Sequence, residues 1–174
     1  MDIVMDHLSK RFGEKEVIKD FSIRMKEGCV TSIMAPSGWG KTTLLRILAG
    51  LERADEGRIG GLENKKISMV FQEDRLCGNL SAISNIRFVC SKKMPKSQIY
   101  EELKKAGLEG EELVPVRKLS GGMKRRVALV RALIVPFDVL ILDEPFDGLD
   151  DQNKNRMIHY VRERSKGKTV ILVT

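Results

Sequence analysis

Apolar and polar residues alternate near the N-terminus, a pattern that predicts antiparallel strands over residues 3–8 and 16–25. Glycines and charged residues mark the turns, at Gly13 and at residues 27–28. A β-prone apolar run over residues 29–34 follows, and residues 43–49 have the composition of a helix that stops at Gly50. The first part of the chain is therefore predicted to be an antiparallel β region that leads into a strand–loop–helix unit.

The remaining pattern alternates between short apolar runs and helical segments. Buried strands are predicted at residues 67–71, 139–142 and 169–173, and helices at 97–106, 121–134 and 151–165. Helical patterns extend over about residues 82–107 and break at Pro95, as expected for an inserted helical lobe. The predicted fold class is α/β, with a mainly parallel core sheet, an N-terminal antiparallel β subdomain and this lobe.

Composition excludes several classes of protein. The 174 residues are 42% hydrophobic and 32% charged, which describes one globular domain, and no apolar run approaches the roughly 18 residues of a membrane span. The N-terminus does not resemble a signal peptide, so a cytoplasmic location is expected. Three distant cysteines, Cys29, Cys77 and Cys90, fit neither a disulfide framework nor a zinc site.

The formal net charge of +7 raises the question of a nucleic-acid partner. Basic residues are interspersed with acidic ones, however, and short basic runs such as residues 124–126 are interpreted as solvated surface. No nucleic-acid partner is expected.

One loop carries a strong chemical signal. After the strand at residues 29–34 come Ala35, Pro36, Ser37, Gly38, Trp39, Gly40, Lys41, Thr42 and Thr43. Glycines let backbone N–H groups converge on phosphates, the lysine ammonium reaches the β- and γ-phosphates, and the Thr42 hydroxyl can ligate Mg²⁺. Ala35 stands where the general pattern has glycine. Alanine is strained at this position only if its φ is positive.

Two carboxylates follow the most apolar predicted strand. Asp143 and Glu144 come directly after residues 139–142, and ligands of open α/β sheets bind at the carboxyl ends of the strands. Asp143 is expected to hold Mg²⁺ together with Thr42, while Glu144 accepts a proton from the attacking water. The alternative interpretation is a solvated strand end followed by a helix cap.

A second anion site is predicted at residues 119–123. Ser120 can cap the following helix, and Gly121 and Gly122 would let the phosphates of another molecule approach the helix N-terminus. Taken alone, the segment is only a favourable helix start.

With these motifs in this order, the chain resembles the nucleotide-binding subunits of ATP-binding cassette (ABC) transporters. The resemblance implies a P-loop NTPase core in which residues 35–43 are the Walker A loop, residues 139–144 are Walker B and residues 119–123 are the signature. It also implies that Phe12 stacks on adenine, that Gln72 belongs to a Q-loop that touches Mg²⁺, and that Asp150 lies in the D-loop. Lys41, Gln72 and Glu144 would be the catalytic residues.

The resemblance implies one cassette over residues 1–174. Its parts would be residues 1–34 (antiparallel β and first core strand), 35–72 (phosphate loop to Q-loop), 73–118 (helical lobe) and 119–174 (signature helix, Walker B and D-loop). Met123 departs from the family's signature glutamine. The chain ends at Thr174, before the family's switch histidine, and neither His7 nor His159 matches that position. The sequence is therefore interpreted either as a form lacking the C-terminal part or as a protein without part of the hydrolytic apparatus.

The implied function is ATP binding and hydrolysis, with Mg²⁺, to drive an ABC transporter. An importer is favoured over an exporter because the ATPase is a separate short chain. The implied partners are a second copy or a paralogous ATPase that supplies Ser120, Gly121 and Gly122 in trans, integral membrane permease subunits and, for an importer, a solute-binding protein. The implied location is the inner face of the cell membrane. The alternatives are a non-transport ABC ATPase of the DNA-repair or translation type and a nucleotide-binding regulatory subunit that does not hydrolyse ATP.

Overall fold

The computed structural model describes residues 1–36 and 38–174, which form two compact units. The first unit contains residues 1–69, 137–143 and 167–174, and the second contains residues 70–136 and 144–166. The elements in chain order are β1 (Ile3–Phe12), β2 (Lys15–Met25), β3 (Val30–Ile33), α1 (Lys41–Leu48), β4 (Glu56–Gly60), β5 (Ile67–Val70), α2 (Ala82–Arg87), α3 (Lys96–Lys105), a 3₁₀ turn (Val116–Lys118), α4 (Gly121–Leu133), β6 (Val139–Asp143), α5 (Asp151–Arg164) and β7 (Thr169–Val173).

The first unit is built on two sheets. One is antiparallel with strand order β2-β1-β4, and the other has the order β3-β7-β6-β5 with β7 parallel to both β3 and β6. Every residue of β6 is buried, as the continuous apolar run predicts for a strand covered on both faces. This arrangement confirms the predicted antiparallel subdomain and mainly parallel core.

A shared hydrophobic core joins these sheets to α1. Alternate residues of β1 contribute Ile3 and Met5, α1 contributes Leu44 and Leu48, and β6 contributes Ile141, all nearly inaccessible to solvent. Burial of apolar area on this scale is the main stabilising term of the unit and fixes the start of α1 relative to the end of β6.

The second unit consists of helices α2–α5. A buried carboxylate links two of them, because Glu102 of α3 accepts a hydrogen bond from the Tyr160 hydroxyl of α5 at 2.6 Å and another from Lys105 Nζ at 2.7 Å. Burial alone raises the pKa of Glu102, but these two donors and the nearby Arg164 outweigh it, so the net pKa is lowered and the group stays charged.

The basic run at residues 124–126 corrects one expectation. Its spacing predicts solvated surface, but Arg125 and Arg126 of α4 are only 4% and 7% exposed. Arg126 donates to the backbone carbonyls of Ala106 and Gly107 at 2.8 and 2.7 Å. A buried guanidinium requires several acceptors, and these residues have them in backbone carbonyls, which composition and charge spacing do not reveal.

Candidate nucleotide-binding site

The phosphate loop connects β3 to α1 in the first unit, as predicted. Gly38 and Gly40 have left-handed φ values of 82° and 100°, and Gly40 is the N-cap of α1. Ser37, a predicted loop residue, lies outside the described residues. Ala35 is not among the described non-glycine residues with positive φ, so alanine causes no left-handed strain there.

Close packing makes glycine necessary at one position of this loop. A Cβ atom on Gly40 would lie 2.7 Å from the Val17 carbonyl oxygen and 2.8 Å from Val17 Cγ1. Trp39 beside it is half-buried, and its ring meets that of Phe21 edge-on, with centroids 5.2 Å apart. The loop is therefore anchored to β2 from two neighbouring residues.

The two predicted metal ligands of this unit come together. The Thr42 hydroxyl donates to Oδ2 of Asp143 at 3.0 Å, and Asp143 is only 2% exposed. Hydroxyl and carboxylate oxygens are the hard ligands that Mg²⁺ prefers, so this pair fits that ion. Lys41 donates from Nζ to the Ala35 carbonyl at 2.6 Å, which places its ammonium over the loop.

The remaining described loop residues, Pro36 and Thr43, are at least partly accessible to solvent. Pro36 is exposed and its carbonyl accepts from the Trp39 amide at 3.3 Å, while Thr43 is half-buried in the first turn of α1. Phe12, at the end of β1, is 50% exposed, and the Lys10 ammonium lies 5.1 Å from its ring centroid. An exposed aromatic face is what base stacking requires, and this role of Phe12 stays a prediction.

Two of the three predicted catalytic residues, Gln72 and Glu144, lie in the second unit. Gln72 donates from Nε2 to Oε2 of Glu144 at 3.1 Å. Glu144, which directly follows Asp143 in the chain, has a φ of 45°. Such a conformation in a non-glycine residue costs about 1–3 kcal/mol and is concentrated at functional sites. Sequence reasoning gave no indication of this conformation.

The predicted signature segment begins α4. Ser120 is the N-cap, and its Oγ accepts from the Met123 amide at 3.2 Å, which confirms the predicted capping role. A Cβ on Gly121 would meet nothing within 4 Å, and one on Gly122 would be 3.4 Å from the Gly148 carbonyl and from Leu149 Cδ2. Neither has a positive φ. The fold of this chain therefore does not require glycine at position 121.

Asp150 caps α5. Its Oδ1 accepts from the Asn153 backbone amide at 2.9 Å and its Oδ2 from the Asn153 side-chain amide at 2.7 Å, and these two hydrogen bonds lower the pKa of Asp150. The two histidines are exposed, His159 on α5 and His7 on β1, where a hydrogen bond with Asp20 raises the pKa of His7. No helix among residues 1–36 and 38–174 is both long and apolar enough to cross a membrane.

A sequence model described as ABC transporter matches residues 18–147, which is most of the chain. The chain belongs to the ABC transporter family. Among its ABC relatives is the spermidine/putrescine import ATP-binding protein PotA of Bacteroides thetaiotaomicron, which is 38% identical over 99% of this chain. Another is the probable sulfate/thiosulfate import ATP-binding protein CysA of Chlorella vulgaris, 36% identical over 94% of this chain. The chain spans 41% of the length of the first protein and 75% of the second.

Solved ABC structures agree with the fold. The dimeric post-hydrolysis structure of the ATP-binding cassette MJ0796, bound to ADP and Pi, superposes with a TM-score of 0.87 at 29% identity. The match covers 99% of this chain and 87% of that one. The likeness confirms the predicted ABC cassette fold.

Proposed function

We propose that this chain binds ATP with Mg²⁺ and hydrolyses it as the energy-coupling subunit of an ABC importer. The observation that carries the proposal is the contact between Thr42, in the phosphate loop, and the buried Asp143 at the end of β6. That pair supplies oxygen ligands for a cation beside a lysine and a helix N-terminus suited to phosphates. Bound Mg²⁺ would neutralise charge that develops on the phosphates.

Each predicted residue has a role in this proposal. The backbone of residues 35–43 and the Lys41 ammonium bind the phosphates, Thr42 and Asp143 hold the cation, and Phe12 stacks on adenine. Glu144 accepts the proton of the attacking water, and the amide of Gln72, which contacts the Glu144 carboxylate, orients that group and touches the cation.

The proposed partners follow from the relatives and from Ser120 and Gly121, which are exposed at the start of α4. ATP would join two copies, with Ser120, Gly121 and Gly122 of one copy contacting the nucleotide of the other. The import role is supported by the names of the two relatives, which are import ATP-binding proteins for spermidine/putrescine and for sulfate/thiosulfate. Permease subunits, a solute-binding protein and a location at the inner face of the cell membrane belong to the same proposal.

Substitution Glu144→Gln tests the hydrolytic role. The amide keeps the shape of the side chain but cannot accept the proton, so multiple-turnover phosphate release should cease while ATP-dependent dimerisation persists. Phosphate release is measured with and without Mg²⁺, and dimers by light scattering after gel filtration.

Glu163→Gln is the matched control, since it makes the same charge change on α5, where Glu163 pairs with Lys166. Its turnover should equal that of the original chain. Unchanged hydrolysis in Glu144→Gln would remove Glu144 from its role. Absence of Mg²⁺-dependent turnover in the original chain would instead favour the regulatory, non-hydrolysing alternative.

A further inference from the structure

The guanidinium of Arg125, on α4, holds the segment that contains Gln72. Its Nη1 atom donates to the Phe71 carbonyl at 2.6 Å, to the Gln72 carbonyl at 3.2 Å and to Oδ1 of Asp74 at 3.2 Å. Arg125 is only 4% exposed, so these bonds are sheltered from water. The backbone on both sides of the Gln72 side chain is thereby tied to α4.

The same group also holds the segment that contains Glu144. Nη2 donates to the Glu144 carbonyl at 2.8 Å, and Nε donates to the Pro145 carbonyl at 3.0 Å. Glu144 has an unfavourable φ of 45°, a conformation that persists only where neighbouring groups enforce it. Arg125 supplies such an enforcing contact.

Only one side chain type can make both sets of bonds. A guanidinium carries five N–H donors in a rigid plane, so opposite edges can reach two backbone segments at once. Hydrogen bonds from a charged donor are also about twice as strong as neutral ones. The relative position of the Gln72 amide and the Glu144 carboxylate is therefore set through one planar group.

We propose that Arg125 is a positioning residue for catalysis: it fixes Gln72 against Glu144 and makes the pair move with the helix that Ser120 caps. The proposal rests on the proposed function, because it assigns Gln72 and Glu144 to the hydrolytic site. A displacement of α4 on contact with a partner's nucleotide would then change the positions of Gln72 and Glu144 through Arg125. Sequence reasoning missed this residue because its basic run was interpreted as surface.

Arg131 provides a matched control on the same helix. It donates to the Asp74 carbonyl at 2.9 Å and to the Arg75 carbonyl at 2.8 Å. Arg131 therefore binds the residues that follow Gln72 by the same kind of hydrogen bond, from a guanidinium to backbone carbonyls. Arg125 and Arg131 differ in that only Arg125 bonds both the Gln72 and the Glu144 backbone.

Amide hydrogen exchange of the full chain without nucleotide tests the positioning directly. In Arg125→Gln, peptides covering residues 71–76 and 144–149 should exchange roughly 10- to 100-fold faster, the scale expected when charge-assisted hydrogen bonds are lost. In Arg131→Gln, acceleration should be confined to residues 71–76. Unchanged exchange at residues 144–149 in Arg125→Gln would overturn the proposal.

Steady-state kinetics supply the second measurement. Arg125→Gln should lower kcat by about 10- to 100-fold with an unchanged KM for ATP, because misplaced groups slow the chemical step without weakening nucleotide binding. Arg131→Gln should keep the original kcat. Equal kcat values for the two variants would overturn the proposal.

Arg125→Lys covers the case in which Arg125→Gln does not fold. Lysine keeps the charge, but its single ammonium cannot span both segments, so at least one of them should exchange faster and kcat should still fall. Protection of both segments at the original level would contradict the positioning role. Since exchange is measured without nucleotide, this result stands even if the original chain shows no turnover, an outcome that would count against the proposed function alone.

Discussion

At the scale of single residues, Gly40 satisfies two separate requirements of the phosphate loop. Its φ of 100° is accessible to glycine at little cost, and its missing side chain leaves room for the Val17 carbonyl. Gly38, two residues earlier, meets only the first requirement, because a Cβ there would find open space. The two positions therefore separate conformational strain from steric exclusion.

Alanine substitutions should reveal that difference. Gly38→Ala is expected to lower the free energy of unfolding by about 1 kcal/mol, the cost of a left-handed alanine. Gly40→Ala adds a clash with backbone and should cost about 2–4 kcal/mol. Urea unfolding of both variants measures this, and equal losses would show that Val17 moves aside freely.

At the scale of elements, α2 and α4 both begin with a serine N-cap, but the two serines differ in their expected function. Ser120 Oγ accepts from the Met123 amide at the start of α4, and Ser81 Oγ accepts from the Ser84 amide at 3.3 Å at the start of α2. Both side chains satisfy an amide that the helix leaves without an intrahelical partner. Only Ser120 is proposed to contact a nucleotide.

Ser120→Ala and Ser81→Ala should therefore have separable effects. Each is expected to lower the free energy of unfolding by about 1 kcal/mol, the usual value of a serine N-cap. Only Ser120→Ala should also weaken ATP-dependent dimerisation, measured in the Glu144→Gln background. If Ser81→Ala impaired dimerisation equally, the effect of Ser120 would reduce to loss of a cap.

Elements with a clear hydrophobic period were predictable from the sequence, and β4 was not. The segment Glu56–Gly60 contains two glycines and two charged residues and has no alternation of apolar positions. It becomes a strand because its backbone pairs with β1, where Ile59 lies opposite Met5. Pairing of this kind is imposed by tertiary structure and leaves no signal in local composition.

The candidate site likewise contains residues that the sequence predicts and residues that it does not. Thr42 and Asp143 could be predicted because phosphate and metal chemistry constrain which residue types occur after which strand. The role of Arg125 could not be predicted, since most of its partners are backbone carbonyls of residues far from it in the chain. Sequence patterns identify side-chain chemistry, whereas bonds to a distant backbone depend on the fold.

At the scale of the whole molecule, no contact with the residues that the structure describes explains the glycine at position 121. A glycine in the first turn of a helix is less stable than alanine, yet here φ is not positive and a Cβ would have free space. The residue is also exposed. Under the proposed function, the close approach of a phosphate group held by a second copy would account for this glycine.

Gly121→Ala should therefore change stability and assembly in opposite directions. The monomer is expected to gain up to about 1 kcal/mol in unfolding free energy, because alanine favours the helix. The added methyl group would occupy the space of the partner's phosphates, so ATP-dependent dimerisation in the Glu144→Gln background should weaken. Sedimentation velocity with and without ATP measures the assembly.

Gly60→Ala is the control for the effect on assembly. A Cβ at Gly60 would also lie in open space at a non-positive φ, and Gly60 is far along the chain from α4. Retention of full dimerisation by Gly121→Ala would contradict a contact between the start of α4 and a nucleotide bound by another copy.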